Sequence, residues 1–232
     1  MNLRSEVESK SFKTFTTFTL IVSIILALLV TIFSSKYRVS NIIYNDELNL
    51  NYESIQSIEN LSIWLINDDN FQKLYEDNLN VKNLEISKQL PNTINININL
   101  HQKIIIYTDL RDSSPSQMIL YKNLYTENFI SEYDLPNLII TNGPIEDGFY
   151  SEVISFILTV EKYKIDLSNL SITFNGNDFL ISYSDTIINA GKPVDLSRKG
   201  SVVGYILEND KCEGTVSILD TANDDIETLF QC

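Results

Sequence analysis

The chain is poor in the residues that most often perform catalysis or bind transition metals. Among its 232 residues there are one histidine, two cysteines and seven glycines. A single histidine, His101, excludes a histidine-rich metal site and leaves a Ser/His/Asp triad only as a chance arrangement. The glycines form no phosphate-binding loop pattern. We therefore interpret His101 as a surface side chain and expect neither a metal nor another cofactor.

Two adjacent acidic pairs are the remaining candidates for acid–base chemistry. Asp68-Asp69 and Asp224-Asp225 could supply a general acid and a general base if they shared a cleft, as in an envelope hydrolase. Adjacent acids at a helix cap or in a turn are usually solvated, however. The sequence therefore disfavours an enzyme.

Basic residues are also scarce. The chain has 17 Lys and Arg against 31 Asp and Glu, a formal net charge of −14. Nucleic-acid binding needs a basic surface that neutralises phosphates, so the composition excludes nucleic acid as an expected partner. The same acidity disfavours electrostatic adhesion to anionic lipid.

Charge is absent altogether from residues 14–35. At a rise of ~1.5 Å per residue this segment spans about 33 Å, enough to cross the hydrocarbon of a bilayer. Ile32 and Phe33 stand where a cleavable signal peptide needs small residues. We therefore predict an uncleaved transmembrane anchor, in preference to a cleaved signal or a buried helix of a soluble core.

The charges on either side of the anchor indicate its topology. Residues 1–13 hold three basic and two acidic residues, whereas the rest of the chain holds 14 basic and 29 acidic ones. This distribution favours a single-pass protein with a short, disordered cytoplasmic head and an extracytoplasmic remainder. Outside the cell Cys212 and Cys232 could pair, although two free thiols fit the sequence equally well.

Residues 36–102 have the pattern of a small α+β module. Residues 39–44 predict a strand, residues 52–58 predict a short helix, and Asn67 is a candidate N-cap for an amphipathic helix that reaches Leu79. Two strands follow, at residues 81–89 and 93–100, separated by a turn at Leu90-Pro91-Asn92. The second strand alternates strictly, so one of its faces is expected to be buried. The predicted order is β-α-α-β-β.

Residues 103–232 predict a larger, mostly β domain with two helices. The helices are expected near residues 145–164 and 195–207, the second of them weakened by two glycines. Asn175-Gly176 is typical of a tight hairpin turn. Residues 214–220 and 224–230 predict a closing hairpin. Further strands are expected at residues 104–107, 118–121, 138–140, 172–174 and 179–183.

Taken together, these features resemble the bacterial cell-division family FtsQ/DivIB, whose first extracytoplasmic module is a POTRA domain. The most specific part is residues 81–98, similar to the family run V-x-x-(apolar)-x-(apolar)-x-(basic)-x-L-P-N-T-(apolar). Residues 135–143 are similar to its L-P-x-(apolar)-x-G segment, and residues 189–207 with 214–220 to its glycine-led helix and following strand. The chain departs from the family at Tyr44-Asn45, which lacks the usual glycine, and at Gln102-Lys103, which lacks the usual proline. It also lacks the customary Asp-Leu-Arg in the closing strand.

The resemblance implies a non-enzymatic scaffold in the septal membrane. Residues 1–13 would be the cytoplasmic head, 14–35 the anchor in the lipid bilayer, 36–102 a POTRA-like domain and 103–232 the β domain. The implied partners are membrane-anchored division proteins of the FtsL and FtsB/DivIC type, and the implied role is control of septal peptidoglycan synthesis. The matching partner-binding edge is Asp225, Ile226, Glu227, Thr228, Leu229 and Phe230. The alternative is another extracytoplasmic binding or sensor protein, of the envelope or of sporulation, with a POTRA-like module.

Overall fold

The computed structural model describes residues 3–45, 53–129, 133–209, 213–220 and 226–232. The chain is an α+β protein that divides into two compact units, Met1–Leu100 and His101–Cys232. A three-stranded sheet lies in the first unit and a nine-stranded sheet in the second.

The first unit begins with helix α1, Leu3–Phe33. Its stretch Phe15–Phe33 is long and apolar enough to cross a membrane, and none of it is buried within the protein. A membrane anchor and a signal sequence both fit this helix. The expectation of a disordered head was wrong, because α1 already begins at Leu3. No glycine or proline precedes Pro91, so nothing in the head interrupts helix propagation.

After α1 the elements follow the predicted order β-α-α-β-β. They are β1 (Asn41–Tyr44), α2 (Glu53–Gln56), α3 (Gln72–Asp77), β2 (Val81–Gln89) and β3 (Thr93–Leu100), with short 3-10 helices at Ser35–Tyr37 and Asp68–Phe71. The sheet order is β1-β3-β2, with β1 parallel and β2 antiparallel to the central strand.

The strict alternation of β3 puts one of its faces into the core of this unit. Ile94, Ile96 and Ile98 are buried there among side chains from the helical segment, such as Ile55 and Phe71. The predicted burial of one face of this strand is thereby confirmed.

Helix α3 is shorter than the sequence suggested. It ends at Asp77, because the side-chain amide of Asn78 donates a hydrogen bond of 2.9 Å to the Leu74 carbonyl and caps the last turn. Leu79 therefore lies outside the helix and is exposed, whereas the apolar periodicity had assigned it to the buried face.

Within its described residues, the second unit contains one mixed sheet and two α-helices. The sheet order is β12-β11-β10-β9-β8-β7-β4-β5-β6. Strands β4, β7 and β8 are parallel neighbours, and β11 runs parallel to β10. The element bounds are β4 (Lys103–Asp109), β5 (Gln117–Tyr121), β6 (Thr126–Asn128), β7 (Asn137–Ile140), α4 (Phe149–Val160), β8 (Leu170–Phe174), β9 (Phe179–Tyr183), β10 (Thr186–Asn189), α5 (Leu196–Asn209), β11 (Thr215–Asp220) and β12 (Ile226–Gln231), with a 3-10 helix at Leu167–Asn169.

Helices α4 and α5 pack closely against each other, which explains the glycines of α5. A Cβ on Gly200 would lie 3.1 Å from the Phe156 carbonyl oxygen, and one on Gly204 would overlap the ring of Tyr163. The close approach of the helices thus offsets the poor helix propensity of glycine. Helix α4 itself is shorter than the predicted 145–164, since it starts only after Gly148, whose φ is +88°.

The two faces of the large sheet are covered differently. Side chains from α4, α5 and the inward face of most strands form the main core, which includes Val153, Ile172 and Val216. A smaller cluster of Ile106, Ile119 and Tyr121 lies on the opposite face, because these residues alternate with core residues along β4 and β5. We call that opposite side the open face.

Candidate protein-interaction edge

The sequence-predicted partner edge forms strand β12. Residues Ile226, Glu227, Thr228, Leu229 and Phe230 all lie in it, whereas Asp225 falls outside the described residues. The strand pairs antiparallel with β11 over its whole length, from Ile226 opposite Asp220 to Gln231 opposite Thr215. The predicted closing hairpin is therefore present.

β12 lies at one end of the sheet. Within the described ranges, no strand pairs with its second side. An edge strand presents N–H and C=O groups that another chain can take up by adding a strand.

The two edges of the sheet differ in the features that normally block strand addition. The β6 edge has only three residues, Thr126–Asn128, and short edge strands are poor templates. The β12 edge has six residues and contains no lysine or proline, the two residue types that most often protect an edge. β12 is therefore the longer and less protected edge.

The side chains of β12 alternate between the two faces of the sheet. Because paired residues on antiparallel strands share a face, Thr228 and Phe230 lie on the side of buried Ile218 and Val216. Glu227 and Leu229 lie on the open face, where Glu227 is opposite Leu219. Leu219 and Leu229 are both about half exposed.

A third exposed apolar side chain lies on the same face. Ile187 of β10 pairs with Thr215, which places it on the open face beside the β11–β12 ribbon. Ile187, Leu219 and Leu229 are thus three exposed apolar side chains on the open face near this edge, and Glu227 is a charged side chain on the same face. These side chains suit a partner strand that carries apolar side chains on one face and a basic residue near Glu227.

The carboxyl end of β12 is tethered. Cys232 follows the strand directly and is disulfide-bonded, while Cys212 lies outside the described residues. The sequence had left free thiols as an alternative, which does not hold for Cys232. Gly214 lies so close to the end of β12 that a Cβ there would overlap the Gln231 carbonyl oxygen. The carboxyl end of β12 thus lies directly beside the start of β11.

Of the other candidates from the sequence, the structure describes Asp68, Asp69 and His101. Asp68 and Asp69 are exposed in the first unit, where Asp69 accepts a hydrogen bond of 3.1 Å from the Asn67 side chain. His101 is half-buried at the start of the second unit. Asp224 and Asp225 lie outside the described residues. No group of three metal-ligating side chains occurs in the part of the chain that the structure describes.

A polar cluster that the sequence analysis missed lies at the carboxyl ends of the parallel strands. The Arg111 guanidinium donates to Asp109 Oδ1 at 2.8 Å and to the Gly143 carbonyl oxygen at 2.7 Å, linking the ends of β4 and β7. These hydrogen bonds hold the pKa of Asp109 below its ordinary value. Nearby, burial raises the pKa of Tyr150 to about 12, and the adjacent Tyr107 adds to the rise.

Close to this cluster a cleft of about 560 Å³ opens at the amino end of α4. Among its lining residues are Glu146, Phe149, Glu152, Lys192 and Pro193. Glu152 accepts a hydrogen bond of 2.9 Å from the Leu196 backbone N–H and so joins the starts of the two helices. The sequence predicted a turn at Asn175-Gly176, and Gly176 lines this cleft. The position of the cleft depends on β7 and β8 being parallel, which no local pattern indicated.

No protein-family model matches this chain, and no curated protein matches its sequence.

Proposed function

We propose that the protein is a non-enzymatic, membrane-anchored scaffold of bacterial cell division, of the FtsQ/DivIB type. In this role it binds membrane-anchored division proteins of the FtsL and FtsB/DivIC type and helps control septal peptidoglycan synthesis. The observation that carries the proposal is the long, unprotected β12 edge of the nine-stranded sheet. It coincides with the segment that the resemblance assigns to partner binding.

The architecture of the first unit supports the same proposal. An exposed apolar helix precedes a β-α-α-β-β unit in which β1 pairs parallel with β3. We interpret the helix as an uncleaved anchor and the unit as a POTRA-like module. The disulfide at Cys232 supports an extracytoplasmic location for the second unit, because disulfides persist in oxidising compartments.

Partner binding would proceed by strand addition to β12. The partner's main chain would pair with the outer side of the strand. Its alternate side chains would contact either Leu229 on the open face or Phe230 on the face that α4 and α5 cover. Backbone pairing would supply affinity, and these exposed apolar side chains would supply specificity. Glu227 favours a basic residue in the partner strand.

Site-specific photocrosslinking in growing cells tests this proposal directly. A photoreactive amino acid at Leu229 should crosslink to a small single-pass division protein of the FtsL or FtsB/DivIC type. The matched control is Asn128, an exposed residue of the opposite edge strand β6. Equal crosslinking from both edges, or none from Leu229, would contradict the proposal that β12 is the partner-binding edge.

The alternative role as another extracytoplasmic binding or sensor protein makes a different prediction for cells. Depletion of a division scaffold should yield filaments without septa. Normal septation combined with envelope or spore defects would favour the alternative.

A further inference from the structure

A short apolar turn in the first unit lies against the carboxyl end of α1. The hydroxyl of Ser62 donates a hydrogen bond of 2.7 Å to the backbone carbonyl of Ile32. Ile32 is the next-to-last residue of α1, and the last four carbonyls of a helix lack partners within the helix. The turn therefore supplies a hydrogen bond that the helix end needs where water is scarce.

This contact fixes the depth of the turn relative to the helix. The 19 residues Phe15–Phe33 span about 28 Å, close to the ~30 Å of bilayer hydrocarbon, so Ile32 lies at the border between hydrocarbon and headgroups. Since the Ser62 oxygen is 2.7 Å from the Ile32 oxygen, the residues flanking Ser62 lie at the same level.

Backbone pairing holds the turn in this place. The Ile63 N–H donates to the Tyr37 carbonyl at 2.8 Å, and the Val39 N–H donates to the Leu61 carbonyl at 2.9 Å. The ring of Trp64 also packs on Tyr37, with 5.7 Å between the ring centroids. The turn is thus attached to the segment that leaves α1, and it does not depend on the helix contact alone.

The side chains that this turn exposes are apolar. Leu61, Trp64 and Leu65 are 40%, 44% and 58% exposed, whereas Ile63 between them is fully buried in the core of the unit. Tryptophan and tyrosine are enriched at membrane interfaces, where an apolar ring with a polar tip is well placed. The exposed leucines beside the ring would gain free energy on transfer from water to the headgroups and upper acyl chains.

We propose that residues 61–65 form a second membrane contact, in which Leu61, Trp64 and Leu65 insert into the interfacial layer beside the carboxyl end of α1. This inference rests on the proposed assignment of α1 as an uncleaved membrane anchor. The contact sets the orientation of the first unit on the membrane surface. The occupant of this face is the bilayer in which α1 is embedded, because the contact with Ile32 is continuous with that helix.

Charge defines what kind of lipid contact this is. Glu59, Asp68 and Asp69 are exposed on either side of the turn, while Lys36 and Arg38 follow the helix. Arg38 forms an isolated β-bridge with Ser62, so the basic pair lies beside the turn and the three acidic residues oppose its attraction to anionic headgroups. With these opposing charges, we expect the contact to depend mainly on apolar area. Zwitterionic phosphatidylcholine should support it as well as phosphatidylglycerol does, with little dependence on salt.

The chain carries its own probe, because Trp64 is its single tryptophan. The full chain is reconstituted into phosphatidylcholine vesicles that contain lipids with a nitroxide either near the glycerol or near the acyl-chain end. We expect strong quenching of Trp64 fluorescence by the shallow nitroxide, weaker quenching by the deep one, and poor quenching by acrylamide in the water. Replacing both Leu61 and Leu65 by serine should weaken lipid quenching and strengthen acrylamide quenching.

Leu79 provides the matched control position. It is as exposed as Leu65. It lies just before β2, whose first residue pairs with Leu100 at the carboxyl end of β3. The segment that leaves α1 reaches β3 at the opposite end, where Asn41 pairs with Thr93. Along β3 these ends are separated by roughly 23 Å. A tryptophan placed there, in Trp64→Phe with Leu79→Trp, should be quenched by acrylamide and by neither nitroxide.

The outcomes separate this inference from the proposed function. If the chain floats with the vesicles but Trp64 is quenched only by acrylamide, the membrane contact of the turn is wrong and the anchor stands. If the chain does not float with vesicles at all, the anchor fails, and the inference fails with it. Equal lipid quenching at positions 64 and 79 would also contradict it, because the turn would then contact the membrane no more than position 79 does.

Discussion

Phe230 and Val216 lie directly opposite each other on β12 and β11 and on the same face of the large sheet, yet Val216 is fully buried and Phe230 is 45% exposed. The core under α4 and α5 therefore thins out at β12, where Ile226 is half-buried against it and the rest of the strand is exposed. β12 is held by its pairing with β11 and by the tether at Cys232 more than by side-chain burial. An edge strand in this situation keeps apolar surface available for a partner.

This difference in burial predicts unequal effects of two alanine substitutions. Val216→Ala removes buried methyl groups and should lower the free energy of unfolding by on the order of 2 kcal/mol. Phe230→Ala removes more atoms but should cost only about 1 kcal/mol, because much of the ring is already in water. Partner recovery in a pull-down should nevertheless fall more for Phe230→Ala. A larger stability loss at Phe230 than at Val216 would contradict this account of the edge.

Proline substitution tests strand addition separately from side-chain contacts. Proline removes one backbone N–H, and along an edge strand alternate N–H groups point toward the neighbour or outward. Of the two variants Thr228→Pro and Leu229→Pro, one should lower the melting temperature and the other should mainly lower partner recovery. If neither variant reduced partner recovery, the partner would bind elsewhere.

Asn45 completes the pairing of β1 with β3 through its side chain. Its amide donates to the Ile98 carbonyl at 3.0 Å, and its side-chain oxygen accepts from the Ile98 N–H at 2.8 Å. Asn45→Ala should cost on the order of 2 kcal/mol, about 1 for each lost bond. Asn97→Ala, on the exposed face of β3, is the control and should cost within about 0.5 kcal/mol. Hydrogen exchange of the Ile98 amide should accelerate in the first variant and stay unchanged in the second.

Two glycines at the carboxyl ends of β7 and β8 are in backbone contact. A Cβ on Gly143 would overlap Gly176 Cα, whereas a Cβ on Gly148 would meet nothing within 4 Å. The φ angles of Gly143 and Gly148 are similar, +83° and +88°. Alanine should therefore incur the same conformational cost of about 1 to 2 kcal/mol at both positions. Gly143→Ala should lose about 1 to 3 kcal/mol more from overpacking, measured by thermal unfolding. Equal melting temperatures for the two variants would show that the Gly143 and Gly176 turns can move apart without cost, so their contact does not contribute to stability.

Tyr150 predicts a specific alkaline response. Burial raises its pKa from 10.0 to about 12 in the folded chain. A raised folded-state pKa means that the stability contribution is complete below pH 10 and is lost as the pH rises toward 12. Absorbance titration of tyrosinate should show a late-ionising group that Tyr150→Phe removes, and the variant should lose less stability over this range. If Tyr150→Phe removed no late-ionising group from the titration curve, Tyr150 would be exposed to water and not buried.

Local patterns predicted the small sheet well and the large one only in part. The β2–β3 hairpin follows from strict alternation and from Pro91, which cannot join a ladder, and both signals are contained in neighbouring residues. The order of the nine strands depends on contacts between distant segments. β10, at Thr186–Asn189, has only four residues and was missed, although it connects β9 to β11.

The candidate edge shows the same division. Apolar alternation marked residues 225–230 as a strand, and the resemblance assigned partner binding to it. That it lies at a sheet end, that the other edge is short, and that Ile187 joins Leu219 and Leu229 on one face all depend on the strand order. The role of Ser62 was invisible in the sequence, because its partner Ile32 lies 30 residues away.

The most direct test of the central claim is fluorescence microscopy of an N-terminal fusion in dividing cells, with the wild-type chain and with the proline variant of β12 that spares stability. The account predicts a midcell band for the wild-type chain and a weakened band for the variant. A uniform peripheral signal for the wild-type chain would contradict the division scaffold and favour the envelope binding protein.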